Sequence, residues 1–110
     1  CNTLIEALDK NNVFFKDETD KEFNTYHTFV IQVNNRNELI KFLLKRGIST
    51  SIHYPVPIHL QPASKYLNYK KGDFEITEKQ SKKILTLPVN ENLSTIQIKY
   101  ICSTINKFFK

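Results

Sequence analysis

Residues 27–52 read HTFVIQVNNRNELIKFLLKRGISTSI. Phe29, Ile31 and Val33 alternate at period two, and Val30 lends the opposite face apolar character, so 27–33 reads as a strand well inside a sheet. Asn35 then stands where an N-cap belongs, with Glu38 three residues on in the capping-box position. Leu39, Ile40, Leu43 and Leu44 predict a helix running to about Arg46, and Gly47 occupies the place of a left-handed C-cap. The residues that follow, ISTSI, read as a second short strand. Strand, helix, strand is the order of an α/β or α+β layer.

Working outward, the N-terminal CNTLIEALDKNN places Leu4, Ile5 and Leu8 at the spacing of the end of an amphipathic helix, stopped by Asn11-Asn12. With no methionine in the chain, such a beginning reads as a piece of a longer protein. Residues 13–25 are polar and charged, a surface loop or an irregular hairpin. On the other side lies Ser51–Ala63, SIHYPVPIHLQPA, which holds three of the four prolines with two histidines and a tyrosine. Each proline fixes φ and removes a backbone donor, so this segment is a stiff extended loop. A short helical turn and a Gly72 turn should follow, then a helix over 75–85 with Ile76, Ile84 and Leu85 inward, and TLPV as a short extended piece. The last helix carries the fullest signals: Ser94 as N-cap with Gln97 at N3, Leu93 and Ile98 in the staple positions, and a stripe of Ile98, Ile101, Cys102, Ile105 and Phe109.

Composition bounds the rest. One domain fits in 110 residues, and 40% apolar content with eight Phe and five Tyr supports a single modest core. No run approaches the roughly 18–20 apolar residues of a membrane span, and no signal peptide opens the chain; the expectation is a cytoplasmic protein without a membrane partner. Cys1 and Cys102 read as reduced thiols rather than a disulfide. The net charge of +5 raises a nucleic-acid interface, but the lysines are dispersed along helix faces in the manner of solvated side chains, and no nucleic-acid partner is expected.

The proline loop is where chemistry would sit. His53 and His59 lie six residues apart with no Cys, Asp or Glu between them, which is not the spacing of a helical zinc pair and supplies no third ligand. Ser49, Ser51 and Ser64 lie near the histidines but in no strand–Gly–Ser–Gly elbow, and two glycines cannot build a phosphate loop. No metal site and no autonomous catalytic unit is therefore expected. Residue types leave two roles open for the loop: contact with a subunit, or contact with a ligand.

Taken in order, HTFVIQV, the R-x-E-L and L-x-x-R-G-I helix with its cap, HYPVPIHLQPA, the GDF turn, ILTLPV and the final LS helix start resemble one known domain. Over residues 26–108 the chain is similar to the C-terminal domain of the DegT/DnrJ/EryC1/StrS family of pyridoxal-phosphate-dependent nucleotide-sugar aminotransferases. The resemblance implies an α/β (α+β) small domain of a fold-type I aminotransferase, with a short sheet of about three strands packed by helices. Residues 1–12 would be the end of the helix leading from a large domain absent here, and 13–110 the small domain. In such enzymes a large-domain lysine forms the aldimine with pyridoxal phosphate, glutamate donates the amino group, and a keto-deoxysugar nucleotide accepts it. The active site lies between domains and across a homodimer interface. Nothing in this chain resembles the Schiff-base lysine motif, so no cofactor-binding or catalytic residue is expected here and the chain alone should be inactive. His53 and Tyr54 match positions that approach the hexose, His59 matches the second loop histidine, and these three are the expected substrate contacts. Arg36 and Gly47 match as helix start and cap. The alternative is a stand-alone, non-catalytic interaction module with the same fold.

Overall fold

The computed structural model describes residues 2–110; Cys1, and with it the question of pairing to Cys102, lies outside the described residues. The elements are α1 (Asn2–Ala7), β1 (Val13–Phe14), β2 (Phe29–Val33), α2 (Arg36–Leu44), two 3-10 segments (Ile58–Leu60 and Pro62–Leu67), α3 (Glu75–Ser81), β3 (Ile84–Leu87) and α4 (Thr95–Phe108). β2 is the central strand of a three-stranded antiparallel sheet of order β1-β2-β3. Its alternation does what the sequence implied: Phe29, Ile31 and Val33 are buried and Val30 faces away from the core.

β1 pairs with β2 at Val13↔Val33 and Phe14↔Gln32, so the polar segment 15–28 closes an irregular hairpin. On the other side the register is Phe29↔Leu87, Val30↔Thr86, Ile31↔Leu85 and Gln32↔Ile84. Leu85 and Leu87 therefore share the core face with Phe29 and Ile31, while Thr86 shares the opposite face with Val30. Beyond β3 there is one further bridge, Ser51↔Thr86, closed by Ser51 N–H to Thr86 O at 3.1 Å and Thr86 N–H to Ser51 O at 2.7 Å. That bridge is antiparallel to β3, and β3 is antiparallel to β2. The chain leaving α2 thus runs parallel to β2 with β3 inserted between them, a split β-α-β arrangement.

Five local expectations are corrected. ISTSI is not a strand but a single bridge, because the Ile48 amide is spent on the helix cap and the prolines beyond Ser51 offer the ladder no donors. The helix expected over 75–85 ends at Ser81; Ile84 and Leu85 belong to β3, where pairing with β2 outweighs the helical reading of their spacing. Ile76, expected inward, is 74% exposed, and Leu44 on α2 is 64% exposed. Asn35 takes the left-handed conformation (φ 56°) and makes no side-chain cap, so no capping box forms with Glu38; a side-chain cap needs an extended N-cap residue.

Gly47 does close α2 as expected, at φ +77°. Its N–H donates to Leu44 O and the Ile48 N–H to Leu43 O, both at 3.0 Å, the paired bonds of a Schellman motif. Arg36 begins the helix, but its guanidinium does more, donating to Ser81 O at 2.6 Å and reaching Ile84 O at 3.4 Å, so that it ties α2 to the turn before β3. The α4 capping box is complete, with Gln97 N–H donating to Ser94 Oγ and Ser94 N–H to Gln97 Oε1. Ile101, Cys102, Thr104 and Ile105 are the buried residues of α4, and Leu4 and Leu8 from the N-terminal segment join the same core. Asn106, unremarked in the sequence, secures that segment to α4: its side chain accepts from Asp9 N–H and donates to Ala7 O.

Candidate functional site

The face of the sheet opposite the core carries the proline loop. His53 reaches down to β3, its Nδ1 lying 3.0 Å from Thr86 Oγ1. The hydroxyl can serve as donor or acceptor, so Thr86 fixes the ring's place while the proton position follows whatever Nε2 meets. The His53–Tyr54 peptide bond is cis. The two rings meet edge to face at 5.3 Å, and Tyr54 remains 67% exposed. Beside His53 opens a cavity of about 380 Å³ whose lining includes His27 and five hydroxyl side chains, those of Thr28, Ser49, Thr50, Ser51 and Thr86. Thr50 Oγ1 is buried without a hydrogen-bond partner. Such a lining offers many hydrogen bonds to a polyhydroxylated molecule.

The structure brings His53 and Tyr54 together but sets His59 apart from them. His59 Nε2 lies 2.9 Å from Glu78 Oε1, with the side chains 8% and 13% exposed. The Gly72 N–H donates to the same carboxylate oxygen at 2.8 Å, and the His59 ring packs on Phe74 with centroids 4.8 Å apart. The hydrogen bond from His59, followed by that from the Gly72 amide, holds the Glu78 carboxyl below its ordinary range. His59 lines a different, mostly apolar cavity of about 310 Å³ with Ile58, Leu67, Tyr69, Phe74 and Thr77.

Thr86 and Glu78 are the partners that sequence reading missed. The one signal for Thr86 is a polar residue inside the apolar run ILTL; Glu78 reads as an ordinary solvated helix residue. No serine hydroxyl among the described residues hydrogen-bonds a histidine, and burial raises the pKa of the Cys102 thiol, which suits packing rather than nucleophilic attack. No group of three or more His, Cys, Asp or Glu is placed to hold a metal among the described residues.

The profile of the DegT/DnrJ/EryC1/StrS aminotransferase family matches residues 1–106. The chain belongs to that family. It is 35% identical over 107 residues to a pleiotropic regulatory protein of Geobacillus stearothermophilus, covering 97% of this chain and 29% of that one. It is 29% identical over 90 residues to dTDP-3-amino-3,6-dideoxy-alpha-D-galactopyranose transaminase of Aneurinibacillus thermoaerophilus, covering 82% of this chain and 24% of that enzyme. Among solved structures, DesV of S. venezuelae in complex with a ketimine intermediate superposes with a TM-score of 0.86 at 25% identity, over 97% of this chain and 30% of DesV. The fold is thus that of one part of the fold-type I aminotransferases, and the chain spans less than a third of the length of these relatives.

The family's aminotransferases depend on pyridoxal phosphate. The residues described here do not by themselves fit that cofactor. Every lysine is exposed, so none is an amine walled into a pocket where it could condense with an aldehyde. No helix of the described residues is long and apolar enough to cross a membrane.

Proposed function

We propose that this chain is the small domain of a nucleotide-sugar aminotransferase, and that its proline loop is an arm holding His53 and Tyr54 toward the sugar. The observation that carries the reading is the anchoring of His53 to Thr86 beside an open, hydroxyl-lined cavity, with Tyr54 exposed next to it. In the full polypeptide, the cofactor and its condensing lysine would be held by the large domain, with residues 1–12 the end of the connecting helix and 13–110 the small domain. The amino group would come from glutamate and pass to a keto-deoxysugar nucleotide, at a site completed by the second subunit of a homodimer. The cofactor supplies the electron sink for that exchange. This chain's residues bind and orient the acceptor: His53 Nε2 and the Tyr54 hydroxyl offer hydrogen bonds to sugar oxygens, and the prolines limit the entropy lost when the arm is engaged. His59, whose Nε2 is committed to Glu78, takes part by holding the arm. Without the rest of the polypeptide, residues 1–110 would not transaminate.

The test uses the full-length protein, assayed for glutamate-dependent amination of keto-deoxysugar nucleotides. Loss of a hydrogen bond to bound substrate lowers kcat/KM by about tenfold or more. Tyr54→Phe and His53→Ala are each expected to show at least that loss. Kinetics like those of the unaltered enzyme in both variants would remove the arm from the sugar site.

A further inference from the structure

The arm is pinned at both ends, and the two pins come from neighbouring elements. At its start, His53 is held by Thr86 on β3; at its far end, His59 is held by Glu78 on α3. A third hydrogen bond, from the Gln61 side chain to Val56 O at 3.1 Å, braces the span between. Tyr54 and Pro55 make no hydrogen bond of their own to the sheet, so the pins decide where Tyr54 stands.

Glu78 is the unusual member. Its Oε1 accepts from both His59 and the Gly72 amide, which joins the arm, the Lys70–Asp73 turn and α3 at one oxygen of a side chain that is only 13% exposed. Phe74 closes the joint on one side, packed against His59 and, edge to face at 5.0 Å, against Tyr69. A solvated surface glutamate needs no such arrangement. A carboxylate that satisfies two N–H donors with one oxygen in a nearly buried place is a fixed point.

We infer that Glu78 is a positioning residue, which through His59 and the Gly72 turn sets the arm and thereby the place of His53 and Tyr54. This rests on the reading of the arm as the sugar-facing element. The geometry needs an acceptor oxygen at this point to fix the arm's place; the negative charge strengthens the two bonds without setting that place. Glutamine retains that oxygen and alanine does not.

In the full-length protein, Glu78→Ala is expected to raise KM for the keto-sugar nucleotide about tenfold with a smaller change in kcat, the pattern of a misplaced binding group. Glu78→Gln should stay within about threefold of the unaltered enzyme. His59→Ala should match Glu78→Ala, and the double variant should add little to either, because both remove one connection. Amide hydrogen exchange supplies a readout independent of activity: Gly72 and residues 54–61 should exchange faster in Glu78→Ala, whereas in Glu78→Gln residues 54–61 should keep the unaltered rate, with exchange in β2 and α4 unchanged. Unaltered exchange at 54–61 in Glu78→Ala would overturn the inference whether or not the protein aminates sugars. Equal damage from Glu78→Gln and Glu78→Ala would overturn it too. Failure of the unaltered full-length protein to aminate any keto-sugar nucleotide would instead count against the function proposed above, leaving the exchange comparison to decide the role of Glu78.

Discussion

At the scale of single residues, the molecule depends on a few polar side chains that bridge distant segments. The Glu78 carboxyl is held below its ordinary range by hydrogen bonds that exist only in the folded chain. Its stabilising effect is complete above the carboxyl's ordinary, unfolded value. As pH falls through that value, the unfolded chain takes up a proton that the folded chain resists, and the contribution is lost as pH falls through the lowered, folded value. Exchange at the Gly72 amide is therefore expected to slow less steeply than the intrinsic chemistry of exchange predicts as samples are taken from pH 6 to pH 3. In Glu78→Gln that deviation should vanish. Arg36 gives a second case. Removing its guanidinium strands the Ser81 carbonyl, and Arg36→Ala is expected to cost about 1–3 kcal/mol in urea unfolding. Lysine would restore little, lacking the planar guanidinium that aims one N–H nitrogen, Nη1, at both carbonyls. Neither bond could be read from sequence: the partners of Arg36 lie 45 and 48 residues away, and its local setting looks like an ordinary helix start.

At the scale of elements, legibility follows how local the determining interactions are. α4 was readable because its cap, its N3 partner and its apolar stripe lie within one continuous stretch, and the structure contains both capping bonds. Ser94→Ala breaks that box and should lower unfolding free energy by about 1 kcal/mol, measured by chemical denaturation. β2 was readable for the same reason, since its alternation is complete in five residues. β3 was not. ILTL has no period of its own that separates strand from helix, and its state is decided by β2, more than fifty residues earlier. The segment after Gly47 erred in the other direction: its β-branched residues favour a strand, but the Ile48 amide had already been claimed by the cap. The arm combines both outcomes. Prolines announced a stiff loop and the histidines marked its ends, while the side chains that fasten those ends, Thr86 and Glu78, carry no local mark.

At the scale of the whole molecule, three helical segments and one face of a small sheet share a single core, with Ile31, Leu39, Leu43, Leu85 and Ile105 fully buried within it. A domain of this size has only about 5–15 kcal/mol of net stability. Ile105→Ala opens a void at the centre and is expected to cost about 2–5 kcal/mol, enough to bring the urea midpoint close to zero if the domain lies at the lower end of that range. The opposite side is apolar in another way: Val56, Ile58, Tyr66, Leu67, Tyr69, Phe74 and Ile76 are all exposed along the arm, the second 3-10 segment and α3. Surface of that kind suits a chain that spans less than a third of its relatives' length. The split β-α-β order also has a meaning for the way the protein is made. The strand that lies between β2 and Ser51 in space comes after both of them in the chain. When the ribosome has delivered His53, the hydroxyl that will hold it is still 33 residues from being translated, a wait of roughly 2–7 s at ordinary elongation rates. Until residues 81–87 emerge, β2 lacks its neighbour β3, Arg36 lacks the Ser81 and Ile84 carbonyls, and the start of the arm lacks Thr86. The arm is thus among the last parts of the molecule to find its place at birth, and a nascent chain stalled before residue 84 would offer its histidines and prolines to chaperones rather than to a substrate.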